Sequence, residues 1–251
     1  MPYTFSFALL AEETTGLPDY PGRALHGLFY QWLALGDYDL ATEVHDNNGS
    51  RPFTVGLLSG SNGQARLRFT VLDDDLWPAL KQGMAKTPTV EILNQPLTLP
   101  QSGPTVYEQS YPDLVANVHS DRHIGLRFHS PTSFRSGGMH VPLPEPRLLF
   151  QSWLLRWNDF APEDHQINIA LLDIVEAHVA VSRYTLRTRM VDWGRNRKVV
   201  GFVGEARFYV LRAHKIGEEW LRKLNILADY APFCGTGHKT TQGMGQTERV
   251  K

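Results

Sequence analysis

Cysteine is nearly absent from this chain: Cys234 is the only one in 251 residues. A single thiol excludes an internal disulfide and a cysteine-based zinc site, and it fits a reducing, cytoplasmic compartment. Long apolar runs are missing too, and none approaches the roughly 20 residues of a membrane-spanning helix. Met1–Leu10 has no basic flank and alternates like a strand through Tyr3, Phe5, Phe7 and Leu9. Neither a secretory signal nor a membrane partner is therefore expected. The nucleophile elbow G-x-S-x-G does not occur, which removes the usual serine-hydrolase signature. The phosphate loop G-x-x-x-x-G-K-[ST] is missing as well. His238 stands before Lys239, and Gln246–Lys251 reads as a short extended segment where that loop needs a helix.

What is present begins with an uneven charge. The net charge of −1 averages two unlike halves. Residues 1–118 hold 6 Lys/Arg against 13 Asp/Glu, and residues 119–251 hold 19 against 13. The second half, at +6, suits a polyanionic partner, while the first, at −7, limits non-specific binding. A basic face that is merely solvated gives the same count.

The hydrophobic periodicity divides the chain at the same place. In the first half, Tyr3–Leu10 alternates, and Ala24, Leu25, Leu28, Phe29, Trp32 and Leu33 recur at helical spacing after Pro21-Gly22. Phe53–Leu58 and Ala65–Leu72 read as strands either side of the turn at residues 59–63. Asp73-Asp74-Asp75 is a helix-start signal for Leu76–Ala85, and Thr89–Leu97 reads as the last strand. That order is the βαββαβ of a ferredoxin-like unit. The second half repeats it less cleanly: a strand at Ile124–Ser130, a helix at Pro146–Trp157, a long hairpin of Ala177–Val191 and Val199–Leu211, a helix at Glu218–Ala228 and a short last strand. Residues 158–176 are ambiguous between helix and irregular structure. The expected class is α+β, with domains at 1–118 and 119–251.

Two regions carry candidate chemistry. The first lies early. His26 and Tyr30 are one helical turn apart on the side opposite the apolar stripe, and His45 and Arg51 flank a polar stretch before the next strand. Histidine moves protons near neutral pH, tyrosine donates a hydrogen bond, and arginine stabilises charge on a phosphorane. Tyr30, His45 and Arg51 can therefore cleave a phosphodiester without metal or cofactor. The bland reading of a lone loop histidine is solvent exposure. His119 and His123 lack a clear third metal ligand, and Asp73–Asp75 is better explained by the helix start. The second region is the run from Gly235 to Gly245, in which Gly235, Gly237, Gly243 and Gly245 surround His238, Lys239, Thr240 and Thr241. Glycines let backbone N–H groups approach a ligand closely, and a cation with hydroxyls suits a phosphate chain. The hairpin end adds Trp193 and the cations Arg195, Arg197 and Lys198. A basic ribbon with an aromatic fits RNA backbone and loops.

Several stretches together resemble one family, the CRISPR-associated endoribonuclease of the RAMP superfamily that cuts precursor CRISPR RNA within its repeats. They are Arg23-Ala-Leu-His-Gly-Leu-Phe-Tyr30, Val44-His-Asp46 leading to Ser50-Arg-Pro-Phe-Thr54, Phe128-His-Ser-Pro-Thr-Ser-Phe134, Pro142-Leu-Pro-Glu-Pro-Arg-Leu-Leu-Phe150, Val199-Val-Gly-Phe-Val-Gly204 and Gly235-Thr-Gly-His-Lys-Thr-Thr-Gln-Gly-Met-Gly245. The glycine loop is the most specific of them. The resemblance implies two tandem ferredoxin-like domains and metal-independent cleavage leaving 2′,3′-cyclic phosphate and 5′-hydroxyl ends. It places the catalytic histidine at His45, with His26 in reserve, the tyrosine at Tyr30, and an arginine, Arg51, where the family commonly has lysine. Arginine keeps the charge but gives up the role of proton donor. Ser133, Arg135, the hairpin cations and the glycine loop are implied to hold the repeat RNA. Effector-complex subunits or a second copy of the chain are further partners it implies. The rival reading from another class is a non-catalytic RNA-binding subunit of a CRISPR interference complex.

Overall fold

The computed structural model describes residues 1–9, 17–18, 20–47, 49–59, 65–193 and 197–250. The chain forms two compact units, Met1–Gln109 with Thr241–Gly243, and Ser110–Thr240 with Met244–Lys251.

In the first unit, strand β1 (Tyr3–Leu9) leads to helix α1 (Gly22–Gly36), which stops where Asp37 turns extended. The Asp37 side chain accepts from Leu40 N at 3.0 Å and so starts a second helix, α2 (Tyr38–Asp46). Strands β2 (Phe53–Ser59) and β3 (Ala65–Val71) follow, then helix α3 (Leu76–Ala85). Thr89–Ile92 (β4) and Gln95–Thr98 (β5) pair only with each other. The fourth strand of the main sheet is instead β6 (Thr105–Glu108), which lies antiparallel to β1. The expectation that Thr89–Leu97 closes the sheet is thus corrected: Leu93 and Asn94 take positive φ and fold that segment back on itself. The sheet order β2-β3-β1-β6, all antiparallel, is ferredoxin-like.

The apolar side chains of α1 at i, i+3, i+4 and i+7 bury Leu25, Leu28, Phe29, Trp32 and Leu33 against Phe5, Phe7, Phe53, Val55, Leu67 and Phe69 of the sheet. Helices α1 and α3 pack at glycine contacts. A Cβ on Gly83 would lie 1.8 Å from the Trp32 carbonyl, and one on Gly36 would lie 1.9 Å from that of Ala79. Only glycine permits this approach.

The second unit begins with helix α4 (Tyr111–Ala116) and strand β7 (His123–Thr132), followed by the small hairpin of β8 (Phe134–Ser136) and β9 (Met139–Val141). Helix α5 (Pro146–Phe160) starts as the sequence predicts. Pro146 occupies its first turn, and Glu145 caps it, accepting from Arg147 N and Leu148 N at 3.1 and 2.7 Å. The ambiguous stretch holds one 3₁₀ turn and helix α6 (Leu171–His178). The long hairpin is β10 (Val179–Asp192) and β11 (Lys198–Val210). Short helix α7 (Ala213–Ile216) and long helix α8 (Glu218–Cys234) precede the glycine loop and strand β12 (Thr247–Val250). The order β10-β11-β7-β12 repeats the first sheet's topology with different residues. Helix α8 ends at Gly235, whose φ is +69°. The core is aromatic: Trp153 and Trp157 of α5, Phe208 of β11 and Tyr230 of α8 are fully buried, and the rings of Trp157 and Tyr230 meet edge-to-face at 5.1 Å. No helix among the described residues is long and apolar enough to cross a membrane.

Candidate functional site

In the first unit, α1 and α2 bring two of the expected side chains, Tyr30 and His45, and the reserve histidine His26 into one cluster. The rings of His26 and Tyr30 lie 5.1 Å apart, and those of Tyr30 and His45 5.4 Å, both edge-to-face. Phe53, at the start of β2, forms the floor: its ring lies 5.6 Å from His26 and 5.4 Å from Tyr30, stacked at 3.9 Å on Phe29. The i, i+4 spacing on α1 sets the first pair. The Asp37 break turns α2 so that its last turn carries His45 back to Tyr30. His45 is therefore a helical residue rather than a loop residue.

The two histidines differ in environment. His45 is 71% exposed, with Nδ1 3.1 Å from Asp46 Oδ1. His26 is half-buried, and its Nδ1 lies 2.9 Å from the carbonyl oxygen of Thr241, a residue of the glycine loop that belongs to this unit. A carbonyl only accepts, so Nδ1 carries the proton and a neutral His26 keeps a lone pair on Nε2. Burial pushes the His26 pKa down. The nearby charges of Arg51, His45 and Arg23 act in the same direction, and the Thr241 bond opposes them. Burial also raises the Tyr30 pKa, against the pull of Arg51, so its hydroxyl stays a donor. That hydroxyl lies 3.5 Å from the Val44 carbonyl.

Arg51 sits two residues before β2 and turns back onto the end of α2. Its Nη1 donates to the carbonyls of Val44, at 2.6 Å, and Asn47, and its Nη2 donates to that of His45 at 2.8 Å. These are carbonyls that a helix end leaves without partners. A role the sequence does not announce is therefore plain: Arg51 caps the turn that carries His45.

The RNA-binding candidates fall in the second unit, except Thr241 and Gly243. The glycine loop is folded tightly on itself and on the end of β7. Gly235, Gly237, Lys239, Gly243 and Gly245 all have positive φ. A Cβ on Gly237 would lie 2.3 Å from the Ser133 carbonyl, and one on Gly245 would lie 2.1 Å from that of Thr236. Many of its amides have protein acceptors: Thr236 N bonds Gly245 O, Gly237 N bonds Ser152 Oγ, His238 N bonds Ser133 O, and Gly245 N bonds Pro131 O. The glycines thus serve close packing at these positions, and those amides are engaged rather than open to a phosphate.

Ser133 is fully buried, and Thr240 nearly so at 4% exposure. Ser133 anchors the loop, its carbonyl receiving both the amide and, at 2.8 Å, the Nδ1 of His238. Burial lowers the His238 pKa, with His140, Lys239 and Arg135 adding to the effect and the Ser133 bond opposing it. The cations face outward. Arg135, Arg197 and Lys198 are exposed, and Lys239 Nζ lies 4.7 Å from the ring centroid of Trp193, which joins the loop to the hairpin end. Arg195 lies outside the described residues.

Among the described residues, Asp73, Asp74 and Asp75 are the one group of three or more possible metal ligands gathered within 4.8 Å. They start α3, and Asp74 pairs with the amino terminus at 2.9 Å. His119 and His123 join no such group.

The fold has counterparts among known proteins. The pattern of the family described as CRISPR-associated endoribonuclease Cas6 fits residues 126–247. Over the whole chain the structure is similar to a Cas6 product complex, with a TM-score of 0.84, 28% identity and full coverage of both chains. The chain is similar to the CRISPR-associated endoribonuclease Cas6 family in pattern and in fold. It is also similar to Cas6 of Thermus thermophilus, at a TM-score of 0.74 and 29% identity, covering all of this chain and 98% of that one. A curated relative, the CRISPR-associated endoribonuclease Cas6 of Streptococcus thermophilus, is 29% identical over 133 residues. That match spans about half of this chain and half the length of the relative (53% of each).

Proposed function

We propose that the chain binds precursor CRISPR RNA and cuts it within the repeat, without metal, by attack of a ribose 2′-hydroxyl on the adjacent phosphate. The observation that carries this reading is the ring cluster of His26, Tyr30 and His45 in a chain similar to the Cas6 endoribonucleases. The 2′-oxygen bonds to phosphorus as a histidine takes its proton. The bond from phosphorus to the 5′-oxygen breaks, and that oxygen leaves with a proton, giving a 2′,3′-cyclic phosphate and a 5′-hydroxyl. His45, the most accessible of the three, takes one or both proton transfers, and Asp46 orients its ring. The lone pair of neutral His26 suits it to act as base if His45 acts as acid. Tyr30 donates a hydrogen bond to the phosphate or the hydroxyl. Arg51 holds the His45 turn and lends positive charge beside the pentacovalent phosphorus. Positioning matters as much as proton transfer, because in-line attack needs three aligned atoms. Arg135, Arg197, Lys198 and Lys239 hold the RNA backbone, Arg195 with them. Ser133 and the packed glycines fix the shape of the loop that presents Lys239, with Thr240 and Thr241 as its hydroxyl residues.

The test is cleavage of repeat RNA in excess EDTA by wild type, His45→Ala and His26→Ala. Wild type should cut once, His45→Ala should bind without cutting, and His26→Ala should lose rate. A repeat with 2′-deoxyribose at the cut position should bind and stay intact. Wild type that binds tightly yet never cuts would make the chain an RNA-holding subunit instead.

A further inference from the structure

Helix α3 and the connector between β5 and β6 enclose a cavity of about 380 Å³ within the first unit. Its walls are apolar. Trp77 and Met84 line it from α3, Phe7 from β1, Leu99 from the connector and Val106 from β6. Strand β6 is only four residues long, and its Val106 stands opposite Phe5 of β1. Residues directly opposite one another share a face of the sheet, so Val106 points to the helix layer as Phe5 does. Phe5 is fully buried there, whereas Val106 is left 43% exposed. Packing fixes the walls. The Trp77 ring stacks on Tyr3 at 5.3 Å and leans on Phe5 at 5.2 Å. Pro88, Pro100 and Pro104 stiffen the connector side. There Leu99 N donates to Pro88 O at 2.8 Å, and Gly103 N donates to Pro100 O at 2.9 Å. A preformed and mostly apolar hollow of about 300–1,000 Å³ with few polar groups is the usual form of a small-molecule site.

One charged side chain lines it, that of Lys81. Lys81 follows Trp77 by one helical turn, and its Nζ lies 5.7 Å from the centre of the Trp77 ring. Among the described residues it forms no ion pair, although residues 1–118 hold 13 Asp/Glu. A neutral apolar guest would strip water from the ammonium and return nothing for it. An anionic end returns a charge-assisted hydrogen bond. A nucleic acid strand, with a charge at every phosphate, would meet a single cation and apolar walls, so this cavity is unsuited to RNA. We propose that it binds a small apolar monoanion, a medium-chain aliphatic carboxylate, with the chain between Trp77, Met84 and Val106 and the carboxylate on Lys81. The site lies outside the cluster of His26, Tyr30 and His45, and the inference stands apart from the RNA reading above.

The experiment is calorimetric titration of the full chain with hexanoate, octanoate, decanoate and 1-octanol. The carboxylates should bind at one site per chain, and each added methylene should tighten binding about threefold to fourfold. Octanoate should bind more tightly than 1-octanol. Lys81→Met keeps the stem and removes the charge. It should weaken octanoate about threefold to tenfold, the range of a partly exposed ion pair, and leave 1-octanol as in wild type. Val106→Trp fills the cavity from the sheet and Ala85→Phe from the helix, and each should abolish binding of both ligands while thermal unfolding shows the variant folded. Two fillings from opposite walls keep the test valid if one of them fails to fold. Octanoate binding unchanged in Lys81→Met overturns the proposal. So does a folded filling variant that binds as wild type does, because the ligand then sits elsewhere. Wild type that binds no decanoate at millimolar concentration overturns it as well, and leaves the RNA reading untouched.

Discussion

Arg51→Ala separates two roles that one guanidinium can play. In the structure it donates three hydrogen bonds to carbonyls at the end of α2, those of Val44, His45 and Asn47. A net contribution near the lower range for such bonds, about 1 kcal/mol each for a half-buried donor that water partly replaces, gives about 2–3 kcal/mol. In a unit of this size that corresponds to a fall in melting temperature of roughly 9–13 °C. The loss is concentrated in the turn that carries His45. A displacement of about 1 Å there should slow cleavage about a hundredfold. The assay pairs thermal unfolding with single-turnover cleavage for Arg51→Ala and Arg51→Lys. A capping residue predicts that alanine loses both stability and rate. Lysine, with one compact ammonium in place of a fork, should recover only part of each. The pH profile supplies a third readout. Arg51 depresses the His26 pKa, so its removal should shift the acid limb of the rate upward. The capping argument is refuted if Arg51→Ala melts like wild type while its rate collapses and lysine restores that rate in full. Such a result would put the guanidinium on the phosphate itself.

Three other outcomes are expected. His26 and His238 are both held below the usual histidine value by burial, so the unfolded chain binds more protons than the folded one just below pH 6.5. Stability should be complete above that pH and fall as the pH drops toward the depressed values, and His238→Gln should flatten the decline in acid melts. Gly83→Ala should destabilise the first unit by about 3 kcal/mol, because its Cβ would lie 1.8 Å from the Trp32 carbonyl. Chemical denaturation giving a loss under about 1 kcal/mol would show that α1 and α3 can separate at little cost. Lys239→Ala should weaken RNA binding and reduce its salt slope by about 0.7–0.9, a single contact, while unchanged affinity would remove the loop from the RNA site.

The sequence made much of this legible because its local signals and its tertiary contacts agree. The apolar stripe of α1 and the Pro146 start of α5 each place an element as observed, whereas α8 runs past its expected end at Ala228 to Cys234. The fourth strand of the first sheet was misread because Thr89–Leu97 and Thr105–Glu108 are both β-rich. Which of them reaches β1 depends on the reversal at Leu93 and Asn94, where asparagine accepts positive φ readily but leucine seldom does. The pairing of His26 with Tyr30 could be read from helical spacing. The approach of His45 to Tyr30 depended on the break at Asp37, and the carbonyl facing His26 lies 215 residues further along. Arg51 was visible as a charge before a strand, but not as a cap. Its partners are backbone carbonyls, whose positions no side-chain pattern records. The glycines of the loop suggested an open cradle, whereas contact with Ser133 and Thr236 shows them spent largely on packing.

The position of Thr241 also has a consequence for synthesis. The first unit draws Thr241–Gly243 from near the far end of the chain, and Gly22 fits there because a Cβ on it would lie 1.9 Å from the Gln242 carbonyl. On a ribosome adding about 5–20 residues per second, His26 emerges roughly 10–40 s before the carbonyl that fixes its proton. During that interval the cluster has its rings but not its tautomer. A chain that stalls or is cut before Thr241 keeps the sequence of the first unit without its finished site, so a nascent or broken copy should cut RNA more slowly than the full chain.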